Sequence, residues 1–145
     1  MTSLKISDDF NSLEKWVLEF LLAGEDPVLD ALRKQITNAK LESREFTGVG
    51  FFTNIKINKD LALKNCKQSF EIGDVYAESK YNEHGIGLVL FIREGLIDWL
   101  EGFVYIDKWP DETNDIVIHY VNAEGNQINK RDLKTLRKNW VFSVH

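Results

Sequence analysis

The side chains through which this sequence could do chemistry are few: His84, His119 and His145, a single cysteine at Cys66, and scattered carboxylates. A zinc ion takes three or four protein ligands, so His84, His119 and Glu83 would have to converge on it from separate elements. A lone cysteine forms neither an internal disulfide nor a cysteine-based metal site. Lys64 and Lys67 flank Cys66 and would lower its thiol pKa, which favours reactivity, although a passive thiol near a strand start fits the same residues. The spacings Gly-x-x-x-x-Gly-Lys-Ser/Thr, His-Glu-x-x-His and Gly-x-Ser-x-Gly are absent. Gly48-Val49-Gly50 and Gly85-Ile86-Gly87 precede strand-like runs, with no helix N-terminus to hold a phosphate, and read as turns. The sequence therefore points to no metal and no organic cofactor.

Glu101 stands apart among the carboxylates. With Glu94-Gly95 as a two-residue hairpin turn, Arg93 faces Leu96, Ile92 faces Ile97, Leu90 faces Trp99, Leu88 faces Glu101 and Ile86 faces Phe103. That register sets Glu101 among Trp99, Phe103 and Leu88, where a carboxylate either raises its pKa or finds a cation. Read as chemistry, Glu101 is a general acid/base, with His84 the one partner that can be named, or the acid of a ligand pocket with Trp99 and Arg44. Read as structure, it is a carboxylate paired with Arg44 or with a backbone turn. A hydrolase-like enzyme or small-ligand protein is the function that follows from the first of these.

The stretch from Glu94 to Asp115 carries seven acids against Lys108 alone. Within it, Asp107, Trp109, Asp111 and Glu112 fall in a loop, and an exposed Trp with acidic neighbours suits capture of a basic protein surface. The same Trp109 could instead fold back over the core and leave the acids as a solvated rim.

Charge is unevenly divided. Residues 1–128 hold 13 Lys/Arg against 22 Asp/Glu, whereas residues 129–145 hold five basic residues against Asp132. An acidic body would repel nucleic-acid phosphate, so the basic tail is better placed to dock on its own body or on a neighbouring subunit. No run approaches the roughly 18 apolar residues of a membrane span, and the first residues lack an apolar leader, so a cytoplasmic location is expected.

Positioning these residues is the work of an α+β domain spanning all 145 residues. Phe10, Leu13, Trp16, Val17, Phe20 and Leu21 recur at helical spacing, with Glu14, Lys15 and Glu19 on the opposite side. Gly24 ends that helix, Asp26 caps the next, Pro27 opens it, and Val28, Leu29, Leu32, Ile36 and Ala39 line it. The result is a helical hairpin over residues 10–39. Period-two alternation then predicts a mostly antiparallel sheet of about five or six strands over residues 41–121, with a bulge at Gly73-Asp74. Both faces of the 85–107 hairpin are apolar, which predicts a sheet covered at least partly on both sides. Asn129 would cap a short basic helix over residues 129–140, striped by Leu133, Leu136 and Trp140.

The runs Ser43-Arg44-Glu45-Phe46-Thr47-Gly48-Val49-Gly50-Phe51-Phe52 and Gly95-Leu96-Ile97-Asp98-Trp99-Leu100-Glu101-Gly102-Phe103, followed by Trp109-Pro110, resemble a group of small uncharacterised bacterial proteins. The resemblance spans roughly residues 20–115, implies a small bacterial cytoplasmic domain, and transfers no activity. Taken together, the residues favour a non-enzymatic protein-binding module over an enzyme. An immunity or antitoxin-like inhibitor that occludes a basic toxin domain is the form this reading takes.

Overall fold

A computed structural model describes residues 4–64, 69–80, 82–106 and 108–141, with the backbone alone at 82–84, 139 and 141. Helices α1 (Ser12–Leu21) and α2 (Pro27–Thr37) form the expected hairpin. Asp26 accepts from the backbone N–H groups of Val28 and Leu29, and Pro27 occupies the first turn, where no N–H is needed. The apolar stripe of α1 is rotated from its expected position. Val17, Leu18, Leu21 and Leu22 are fully buried, Trp16 is 39% exposed, and Glu14, expected toward solvent, is 1% exposed. Glu14 moves inward because the sheet supplies it with a cation and a hydroxyl, described below.

Seven strands follow: β1 (Lys40–Phe46), β2 (Gly50–Lys56), β3 (Phe70–Ser79), β4 (Asn82–Arg93), β5 (Leu96–Val104), β6 (Val117–Val121) and β7 (Gln127–Ile128). The sheet is antiparallel throughout, in the order β1-β2-β5-β4-β3-β6-β7. The extra strand beyond the expected count is β7, a two-residue pairing across the 122–126 turn. The bulge in β3 lies where the change of phase predicts it, between Ile72 and Val75.

Glu94 and Gly95 both have positive φ, 52° and 80°, the requirement of a type I′ turn. Arg93 pairs with Leu96 and Ile92 with Ile97 as expected, and then the register slips. Phe91 pairs with Trp99, Leu90 with Leu100, Val89 with Glu101, Leu88 with Gly102 and Ile86 with Val104. One extra residue in β5 transfers every later side chain to the other face. Ile86, Leu88, Leu90, Ile92, Ile97 and Leu100 thus form a buried row under the helices, while Val89, Phe91, Trp99, Glu101 and Phe103 are only partly buried. Coverage on both sides, expected from the two apolar faces of the hairpin, is not what the fold shows: the described helices cover one face of the sheet, because the slip turns the larger aromatic side chains to the other.

Helix α3 (Leu133–Val141) closes the core, with Leu136 and Trp140 buried and the Trp140 ring 5.5 Å from that of Phe70. Its cap is Asp132, which accepts from the Thr135 N–H, rather than Asn129. Arg131 just ahead of it makes a two-pronged ion pair with Asp74 at 2.8 Å and donates to the carbonyls of Phe20 and Ala23 at the end of α1. Arg137 pairs with Asp26 at 2.8 Å. Residues 131–140 of the basic tail are therefore docked on the body of their own chain.

Arg44→Ala leaves the Glu14 carboxylate buried without its cation and is expected to lower the free energy of unfolding by about 3 kcal/mol, read from urea denaturation. Arg131→Ala strands Asp74 in the same way, and loss of stability on a similar scale of about 3 kcal/mol is expected there.

Candidate functional site

The uncovered face of the sheet is the most distinctive surface among the described residues. Pairing registers lay its side chains out in rows across the strands. One row runs Glu71, Phe91, Trp99, Asn54 and Ser43; the next runs Val89, Glu101, Phe52 and Glu45; a third runs His119, Tyr76, Gly87 and Phe103. Tyr105, 58% exposed, continues β5 beyond Phe103.

Aromatic rings on this face touch one another. Phe91 and Trp99 stack at 4.2 Å with their planes 16° apart. Phe103 meets Tyr105 edge-on at 5.2 Å, and Tyr76 lies 5.1 Å from His119 and 6.4 Å from Tyr105. Glycines make room for them: a Cβ at Gly87 would run into the Phe103 ring, and one at Gly85 would run into the Tyr76 hydroxyl. A groove of about 470 Å³ runs along the Phe91–Trp99 stack, bordered by Glu71 and Arg93.

The charges around these rings are mainly negative. Glu45, Glu71, Glu78 and Glu101 share the face, while Lys40 and Lys56 pair opposite each other at one corner and Arg93 lies 4.0 Å from Asp98. Desolvation, and then the neighbouring Glu78 carboxylate, hold the Tyr76 phenol above its ordinary pKa. At the centre, Glu101 is half-buried between Trp99 and Phe103 along its strand and Val89 and Phe52 across it. Among the described residues its carboxylate has one hydrogen-bond partner, the Trp99 indole N–H at 3.4 Å. An indole N–H donates but its nitrogen has no lone pair free to accept a proton, so this pair can orient a ligand and cannot relay protons.

The residues singled out from the sequence separate into three places. Trp99 and Glu101 come together, on the open face rather than in the core. Arg44 points to the helix side, where it bonds Glu14, and those bonds hold its guanidinium above the ordinary pKa despite desolvation. Glu101 is thus not paired with Arg44. Trp109 is half-buried edge-on against Phe51 at 5.2 Å, its backbone N–H bonded to the Gly48 carbonyl. It shares a cavity of about 370 Å³ with Arg44, Phe46 and Leu13. Asp111 and Glu112 are exposed on the loop beyond it. Asp107, Cys66 and the side chains of Glu83 and His84 lie outside the described residues. No group of three His, Cys, Asp or Glu side chains is placed to hold a metal among the described residues, and no helix there is long and apolar enough to cross a membrane.

The open aromatic face escaped the reading of the sequence because it depends on the slip at Asp98. The alternation of Phe52, Tyr76, Phe91 and Phe103 with core residues was the signal available for it. No family model, curated protein or solved structure matches the chain, so the site is read from its own geometry.

Gly87→Ala should force the Phe103 ring off its seat at a cost of about 1–3 kcal/mol. Thermal unfolding would measure the cost, and a changed near-ultraviolet circular dichroism signal would report the disturbed aromatic rows.

Proposed function

We propose that this chain is a non-enzymatic binding module whose open sheet face docks on a basic surface of another protein and occludes it, as an immunity or antitoxin-type inhibitor does to a cationic toxin domain. The observation that carries the reading is the face itself: touching aromatic side chains, uncovered by any described helix and flanked by Glu45, Glu71, Glu78 and Glu101. Aromatic residues anchor interface centres, and complementary charge steers the approach of a partner. The acidic excess of residues 1–128 extends the same field over the body.

Nucleic acid fits this surface poorly, because phosphate would meet carboxylates. In the basic tail Arg131 and Arg137 are engaged by Asp74 and Asp26, which leaves Lys130, Lys134 and Lys138 against the acidic excess of residues 1–128. Asp111 and Glu112 stand on the loop that Trp109 ties to the helix side, away from the aromatic rows.

The test is affinity capture from the native lysate at low and moderate salt, followed by titration of the recovered partner. Glu71→Lys/Glu78→Lys is expected to weaken binding about tenfold or more and to flatten its salt dependence. Asp111→Lys/Glu112→Lys should leave affinity within about threefold of the native value. The reverse ranking would move the interface from the sheet to the loop.

A further inference from the structure

Resting on the reading of the open face as a docking surface, we infer that the partner contributes an arginine side chain that seats on Glu101. Glu101 occupies the middle of the face and is already half-buried by four apolar neighbours, Val89, Phe52, Trp99 and Phe103. It has no ion pair among the described residues, and the Trp99 indole reaches only Oε1, at 3.4 Å. Two surfaces closing over these rows would strip the remaining water from the carboxylate. Its desolvation then opposes docking unless a cation arrives with the partner.

Arginine meets that requirement better than lysine. A guanidinium is weakly hydrated, bonds a carboxylate with two parallel N–H groups and stacks on aromatic rings. An ammonium is a compact, strongly hydrated charge and would have to shed that water among Val89, Phe52 and the rings. A second copy of this chain is a poorer source of the cation, because its own face sets Glu45, Glu71, Glu78 and Glu101 against Lys40 and Lys56 at one corner and a single arginine, Arg93, which lies 4.0 Å from Asp98. Nor does its tail offer Arg131 or Arg137, both already paired.

The experiment titrates the full chain with nona-arginine and, separately, nona-lysine at low and moderate salt, following the Trp99 indole N–H by NMR, with Trp99→Phe used to assign that signal. Nona-arginine is expected to bind about tenfold tighter than nona-lysine and to shift the indole resonance. Glu101→Gln, which keeps the side chain's shape and whose fold is checked by thermal unfolding, should erase the arginine advantage. Glu71→Lys/Glu78→Lys should instead weaken both peptides alike. Equal affinities, or an arginine preference unchanged in Glu101→Gln, would overturn the anchor while leaving a basic partner in place. Binding of neither peptide at low salt would remove the docking reading as well.

Discussion

The burial of one carboxylate organises the helix side of this protein. Glu14 sits at the third position of α1, where its side chain accepts from the Asn11 N–H while Asn11 caps the Glu14 N–H in return. That reciprocal cap would hold in an isolated helix. Here the same carboxylate also receives Nε and Nη2 of Arg44 from β1, at 2.7 and 2.6 Å, and the hydroxyl of Thr53 from β2. Every oxygen of the buried charge is therefore engaged. Taking the carboxylate out of water is tolerable only in this full arrangement, so α1 has one permitted placement over the outer hairpin of the sheet.

Two further polar ties set the other helices by the same logic. Gln35 of α2 is fully buried, and its amide donates to the carbonyls of Leu61 and Gly95 while accepting from the Ile97 N–H, each at 2.9 Å. It reads the backbone of the β4–β5 turn directly and locks α2 over it. Arg131 collects the end of α1, whose last turn contains no basic residue, by donating to Phe20 and Ala23 while Arg33 takes Leu22 and Gly24. Tyr120 adds its hydroxyl to the Phe20 carbonyl at 2.5 Å. Helix-end carbonyls that would need water are thus met by cations from elements distant in sequence. These ties all lie on one side of the sheet and make no use of its other face.

What could be read from residues alone follows the range of the interaction responsible. Caps and turns are local, so Asp26-Pro27, Glu94-Gly95 and the Gly73-Asp74 bulge are visible in the sequence. The position of Glu14 is not, because α1 taken alone places a charged side chain in water, and only Arg44 and Thr53, 30 and 39 residues away, reverse that preference. The Asn11-to-Glu14 spacing did carry the capping signal, but a cap does not say that its carboxylate will be buried. Trp99 and Glu101 were legible as a pair, two residues apart on one strand face, whereas the face they occupy was not. A single added residue at Asp98 inverts the hairpin beyond it, and nothing in the alternating pattern shows that slip when both phases are apolar. Trp109 illustrates the reverse case: a Trp among acids in a loop looks exposed until the fold brings the Phe51 ring against it and ties its backbone N–H to the Gly48 carbonyl.

The inverted hairpin also explains how an apolar surface can remain open without being part of the core. Had the register run straight from the turn, Trp99 and Phe103 would have entered the row beneath α1 and α2, and Leu100 would have faced water. With the slip, Leu100 packs under the helices beside Leu90, Gly102 fits against the Phe51 ring, and the larger rings are displaced outward. They gain contact with one another and with Gly87, but they retain water on their outer side. The core is complete without them. Side chains on the open face consequently take no part in placing the helices, while Glu14, Gln35 and Arg131 carry the fold from the opposite side. This separation lets exposed side chains of the open face change with little effect on the placement of the helices, since they lie apart from the polar ties that position them.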